Sequence, residues 1–294
     1  MEALRFIALV AVAGCGRLDF QADVVPFRDA AGPDAACLGT GTFTDIQKIA
    51  SGSTNDLQTA AFITPDGLGL VWDQSDGTNQ HLWTSQRATR ADPFPVGAAI
   101  AGTFANKDQY GGSLTGDGLE LYFDSAGVPK NCIYRATRAT TSAAFDPPVE
   151  LSALCQTLDM AGAQISADGL TLVYSSAVDP AGEGDLYITE RPDRTSEFPA
   201  GKMLGGLPSG VGYPALSADR LRLWFEEESG SAIKVVSAVR ISPSDVFSQL
   251  HDLAEIDTNG DEGDPSLTLD ESVLTFVSHR DGSYAPYIAT RPCL

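Results

Sequence analysis

Apolar and polar positions alternate along this chain in one phrase that recurs five times. In its clearest copy Leu170, Leu172 and Tyr174 are separated by polar or smaller residues, and Asp168-Gly169 stands just before them. Alternation of this kind marks a half-buried strand, and Asp-Gly marks the tight turn that leads into it. The other copies run from Phe62 to Trp72, Leu114 to Phe123, Leu216 to Phe225 and Leu267 to Phe276. Their aspartates are Asp66, Asp117, Asp168, Asp219 and Asp270, so every interval is 51 residues. A fixed period of this length means one supersecondary unit copied in tandem.

Each unit holds more than one strand. After the alternating strand comes a polar loop, then a second apolar run such as Leu186-Tyr187-Ile188, then a turn and a short strand near Phe198. Trp83, Tyr134, Tyr187, Val236 and Tyr287 each precede an arginine by four residues: Arg87, Arg138, Arg191, Arg240 and Arg291. Phe94, Phe145, Phe198 and Phe247 follow the first four arginines by seven. The chain ends before a fifth such Phe, and Phe43-Thr-Asp-Ile-Gln-Lys-Ile49 matches the strand that is missing. The spacing therefore predicts an all-β fold, a five-bladed β-propeller with four antiparallel strands per blade. The N-terminal strand, about 43–50, would join the C-terminal blade and close the ring.

The phrase Ser-x-Asp-Gly-Leu-x-Leu-x-Phe/Tyr, followed by Leu-Tyr-Ile-x-x-Arg, resembles the WD40-like, TolB-type β-propeller repeat family. It covers residues 43–291, with Arg220 and Glu271 replacing the turn glycine in the last two copies. The resemblance implies the propeller fold and a protein-binding role; fold by itself names no chemistry. At the N-terminus, Phe6 to Ala13 is an apolar run too short to span a bilayer, and Val12-Ala13-Gly14-Cys15 resembles the lipobox of bacterial lipoproteins. That resemblance implies a signal peptide over 1–14, lipid on Cys15 and a tether over 15–36. The propeller then occupies 37–294, held at the bacterial outer membrane, on its periplasmic side or at the cell surface.

Charge changes the picture next. There are 39 acids against 19 bases, a formal net charge of -20. This excludes nucleic acid as a partner, since phosphates need clustered Lys and Arg. In a propeller the loops between second and third strands share a face with the connections between blades. That face collects the acids, and the opposite face collects Arg87, Arg90, Arg138, Arg191 and Arg194. The candidate binding residues are Asp56, Asp108, Asp159, Asp185, Asp261 and Asp264, at an acidic channel mouth suited to a cationic or metal-bridged partner. Asp257, Asn259 and Asp261 have the alternate oxygen spacing of a calcium loop, although Glu262 and Thr268 depart from the EF-hand pattern. The expected function is a monomeric, lipid-anchored module binding an envelope protein or glycan. The alternative is a glycan-cleaving enzyme using two or three channel-mouth carboxylates. His81, His251 and His279 are scattered and accompany no nucleophile motif, so no catalytic residue is assigned.

With Cys15 set aside, four cysteines remain, an even number for an exported chain. Cys132 opens a third strand and Cys155 follows the fourth, so the two are expected to pair. Cys37 and Cys293 fall at adjacent positions of the turn interrupted by the chain ends, which predicts a second disulfide stapling the ring.

Overall fold

The computed structural model describes residues 41–49, 58–126, 130–155, 159–177, 184–230 and 232–292. Five four-stranded antiparallel sheets are present, and the described residues contain no helix. The closing strand is β1 (Thr44–Lys48). Blade one is β2 (Gln58–Ile63), β3 (Gly69–Ser75), β4 (Gln80–Gln86) and β5 (Ala98–Ala99). Blade two is β6 (Gln109–Leu114), β7 (Glu120–Ser125), β8 (Cys132–Thr137) and β9 (Val149–Glu150). Blade three is β10 (Met160–Ile165), β11 (Thr171–Ala177), β12 (Gly184–Glu190) and β13 (Lys202–Met203). Blade four is β14 (Val211–Leu216), β15 (Arg222–Ser229), β16 (Ala232–Val239) and β17 (Ser248–Asp252). Blade five is β18 (Glu262–Leu267), β19 (Val273–Ser278), β20 (Ala285–Thr290) and then β1.

The expected closure is the observed one. Thr44 pairs with Thr290 and Lys48 with Tyr287, both antiparallel. Phe43 is buried and lies under the Arg291 guanidinium, 4.6 Å from its carbon to the ring centre. The same stack occurs in the other blades, Arg87 on Phe94, Arg138 on Phe145, Arg191 on Phe198 and Arg240 on Phe247, at 4.4 to 4.6 Å. Gly41 rests against the Pro292 ring at the other end of the chain. Cys37 and Cys293 lie outside the described residues, as does Cys15. Cys132 and Cys155 are joined, with Cα atoms 5.4 Å apart.

Each turn of the repeated phrase is built by its own aspartate. Oδ1 of Asp66, Asp117, Asp168, Asp219 and Asp270 accepts a hydroxyl two residues back, at 2.6 to 2.7 Å, and an N–H two residues on. The blade arginine then donates Nε to the carbonyl of the residue after that aspartate. That residue has positive φ in all five copies, including Arg220 (62°) and Glu271 (56°) where glycine is absent. Packing of the arginine therefore holds a left-handed backbone that costs a non-glycine residue about 1–2 kcal/mol. The core lies between blades, where rows such as Ile63, Leu70 and Trp72 meet Val273 and Val277 of the neighbouring sheet.

Candidate functional site

The acids of the blade-connecting face divide into two rings with different tasks. Asp108 Oδ1 accepts the N–H of Gln80, Asp159 Oδ1 that of Asn131, and Asp261 Oδ1 that of Ile233, at 2.7 to 3.1 Å. Each acceptor precedes the innermost strand of one blade, and each donor lies at the start of the preceding blade's third strand. These candidate binding residues are clamps between neighbouring blades. Asp261 also accepts the Tyr284 hydroxyl at 2.7 Å. Asp185 lies in β12 opposite Ser176, and Asp56 lies outside the described residues.

The second ring surrounds the channel axis. Residues 60, 111, 162, 213 and 264 occupy one position of the five innermost strands. All five have left-handed backbone, with φ of 48°, 60°, 61°, 47° and 50°. Each lies at a register shift between the first and second strands, a bulge that turns its N–H away from the ladder. Carboxylates receive four of those N–H groups. Asp73 Oδ1 accepts from Gly111 at 3.3 Å, Asp124 Oδ1 from Gly162 at 3.1 Å, Glu226 Oε2 from Asp264 at 3.4 Å, and Asp264 Oδ2 from Ala60 at 3.1 Å. Glycine is needed at 111 and 162, because a Cβ there would come 2.9 Å from Asp124 Oδ1 and 2.8 Å from Tyr213 Cα. Asp73, Asp124 and Glu226, which supply three of these acceptors, stand within second strands.

Electrostatics separates this ring from the rest of the molecule. Asp124 is buried, and burial first, then the Asp264 charge, push its carboxyl up to about 8. Burial likewise lifts Asp264 to about 7, and burial with the Asp264 charge holds Glu226 well above the carboxylate range. Tyr213, at the same ring, is raised by burial and by Asp264, Asp124, Glu226 and Asp73. Among the described residues no Lys, Arg or His forms an ion pair with Asp124, Glu226 or Asp264. Although residue 264 as a whole is only partly buried, its Oδ1 is shut off from solvent and has no hydrogen-bond partner. The space at this level is about 30 Å³, lined by Ala60, Gly111, Gly162, Tyr213, Pro214 and Asp264 among others.

The opposite face is arranged the other way. Glu120 is buried and meets Arg135, Arg191 and Arg194 at 2.7 to 3.1 Å. Glu271 is buried between Arg222 and Arg291, at 2.7 and 3.1 Å. Arg220 pairs with Glu190. At this end the channel widens into a cavity of about 470 Å³, lined by Ile165, Leu216, Trp224, Leu269, Gln164 and Glu271 among others. Turn backbones clasp on either side of it, Gly116 N–H to Ala167 O at 2.8 Å and Leu269 N–H to Pro65 O at 2.9 Å.

In the expected calcium loop, Asp257 lies 3.6 Å from Lys234 Nζ, and burial raises its carboxyl. Asn259 is exposed, and the Asp261 carboxylate is held by the two donors already named. Among the described residues, one set of three acid, His or Cys ligand atoms lies close enough to share an ion: Cys132, Glu150 and Cys155. Two of these are joined as the disulfide.

No protein-family model matches the chain, and no curated protein matches it. Solved structures do. TolB from Acinetobacter baumannii superposes with a TM-score of 0.52 at 16% identity over 81% of this chain. The chain spans 55% of that protein's length. A putative TolB from Agrobacterium tumefaciens gives 0.50 at 19% identity, over 79% of this chain and 76% of its own. A thermostable family-43 glycoside hydrolase gives 0.55 at 9% identity, over 80% of this chain and 89% of its own. At such identities the likeness establishes the fold alone, and by that measure the chain is a β-propeller of five four-stranded blades.

Proposed function

We propose that this chain is a non-catalytic binding module. It takes a positively charged partner, an envelope protein, at the blade-connecting end of its channel, and it is held at the bacterial outer membrane by lipid on Cys15. One observation carries the reading: the carboxyls without an ion-pair partner and the open space lie at opposite ends of the channel. Glycoside hydrolysis needs two carboxyl groups roughly 5–10 Å apart across room for a sugar ring. Of the axial acids Asp264 lines a space of about 30 Å³ and Asp73, Asp124 and Glu226 do not; that is room for one or two waters. In the 470 Å³ cavity, Glu271 and Glu190 are neutralised by arginines and Asp168 is spent on its own turn. What remains is the chain's excess of 39 acids over 19 bases, a negative potential that a partner's positive charge can answer.

The test pairs two assays on the full chain. Affinity capture from detergent-solubilised envelope, with parent and the double variant Glu227→Gln, Glu228→Gln at the same end of β15, should retain a partner with the parent that the variant loses, with and without calcium. A panel of chromogenic glycosides should stay uncleaved. Glycoside turnover that Glu226→Gln or Asp264→Asn abolishes would establish the enzyme reading in place of this one.

A further inference from the structure

We infer that the cavity at the turn end of the channel is a binding site for a neutral sugar, whose hydroxyls bond to blades three, four and five. It lies at the opposite end from the proposed partner surface, and the inference stands independently of that reading.

The residue before each turn aspartate belongs to a circle of turns at this end: Pro65, Gly116, Ala167, Ala218 and Leu269. Two links of the circle are closed, Gly116 N–H to Ala167 O and Leu269 N–H to Pro65 O. Proline has no N–H to give, so the link from Pro65 to Gly116 stays open. The links from Ala167 to Ala218 and from Ala218 to Leu269 are not made, although these residues carry both groups. Ala218 of blade four is thus joined to neither neighbour. Ala167, Ala218 and Leu269 all line the cavity, and Gly116 does not. Among the described residues the N–H groups of Ala167 and Ala218 find no other acceptor.

Two side chains of the cavity wall repeat the pattern. Trp224 of β15 is 4% exposed, yet its indole N–H donates to nothing among the described residues and is not shut off from solvent. The polar residues at the same position of other blades are spent, Tyr122 donating to Glu120 and Thr275 to the Ala61 carbonyl. Gln164 of β10 is half-buried, and its side-chain amide has no partner among the described residues. Polar groups this deep in a fold are normally paired. Unpaired ones gathered on one wall mark where a ligand's atoms go.

The ligand's chemistry follows from what the wall offers. A volume of about 470 Å³ is that of a small-molecule site. The charges of the wall are matched, Glu190 by Arg220 and Glu271 by Arg222 and Arg291, while Asp168 is held in its turn. A neutral ligand is therefore favoured over an ion. The open groups are of both kinds: donors at Ala167, Ala218 and Trp224, acceptors at the Ala218 and Leu269 carbonyls, and both in the Gln164 amide. A hydroxyl donates and accepts, so it satisfies either kind. These groups come from three blades around one compact space, which suits a ring carrying hydroxyls on its rim. An extended peptide presents its groups along a line, for a strand edge. Between the polar groups stand Ile165, Leu216 and Leu267, an apolar surface for the C–H face of a sugar. With Glu190 and Glu271 neutralised, the sugar is held and not cleaved.

The experiment is a calorimetric titration of the full chain with D-glucose, D-galactose, N-acetyl-D-glucosamine and maltose, alongside cyclohexylmethanol and N-acetyl-trialanine amide. Expected is saturable binding of at least one sugar, recovered unchanged, with no response to the other two probes. Trp224→Phe keeps an aromatic ring and removes the N–H. Ala218→Pro removes one backbone N–H at a position where blade one already carries Pro65. Gln164→Leu removes the amide. Each should weaken binding about tenfold. Should Trp224→Phe fail to fold, the other two variants decide. No saturable response to any of the sugars, an equal response to cyclohexylmethanol, or an affinity unchanged in folded Ala218→Pro and Gln164→Leu overturns the site. Binding of the tripeptide in place of the sugars overturns the ligand assignment.

Discussion

Replacing Asp124 by asparagine tests the axial carboxylates as a source of instability. The carboxyl moves from 3.8 to about 8 on folding, through burial. Between those values the native state keeps a proton that the unfolded chain has released. The folded state therefore binds more protons, and stability falls as pH rises, by up to about 1.4 kcal/mol per pH unit from this one group. The loss is complete above about pH 8. Asparagine has the shape of the protonated acid, and its oxygen can accept the same Gly162 N–H. Asp124→Asn should thus already lead the parent by about 2 kcal/mol at pH 5 and by on the order of 5 kcal/mol at pH 8, both upper figures. Urea denaturation of both proteins at pH 5, 6, 7 and 8 measures the gap directly. Curves that stay parallel would mean that Asp124 is ionised in the fold at neutral pH, and the argument from burial would fail.

Other expectations concern closure, cross-linking and anchoring. Phe43→Ala removes the buried ring under Arg291 and should cost about 3–5 kcal/mol in chemical denaturation; a cost below 1 would mean that the closing strand is dispensable. Cys132 and Cys155 are 23 residues apart, so their joint replacement by serine should cost about 3 kcal/mol under non-reducing conditions, and an unchanged midpoint would refute this. Cys15→Ser should move the protein from the membrane fraction to the soluble fraction; unchanged fractionation removes the lipid anchor. Millimolar Ca²⁺ at low ionic strength should raise the melting temperature, less so in Asp257→Ala, and a parent that does not respond holds no calcium in that loop.

How far the fold could be read from sequence depends on which residues repeat. The turn aspartates and the Arg–Phe pairs serve the same purpose in every blade, so the same residue type returns every 51 positions and the architecture is legible. The axial ring is equally periodic in backbone, yet its residues are Ala60, Gly111, Gly162, Tyr213 and Asp264. The residue type changes from blade to blade while the backbone conformation does not, so composition hid the ring. The acids behind it are similarly irregular. The position held by Asp73, Asp124 and Glu226 is Ser175 in blade three and Val277 in blade five. Asp264 takes over the Ala60 N–H that a carboxylate at 277 would have received. Asp108, Asp159 and Asp261 looked like surface charge because their partners are backbone N–H groups of another blade, about 28 residues away in sequence. A charge count does not see such partners.

The pairing of β1 with β20 has a kinetic consequence. Every other strand finds its partners within its own repeat, so four blades can form from short closures. Blade five joins Thr44 to Thr290, nearly the whole length of the chain. Contacts this distant form late and slowly, because loop closure must precede any gain from them. Until the last strand arrives, Thr44–Lys48 and the flank of blade five are unpaired edges open to another copy's strand. For a chain that emerges N-terminus first, the segment needed last is exposed longest, and refolding yield should fall with protein concentration through exchange of this one strand.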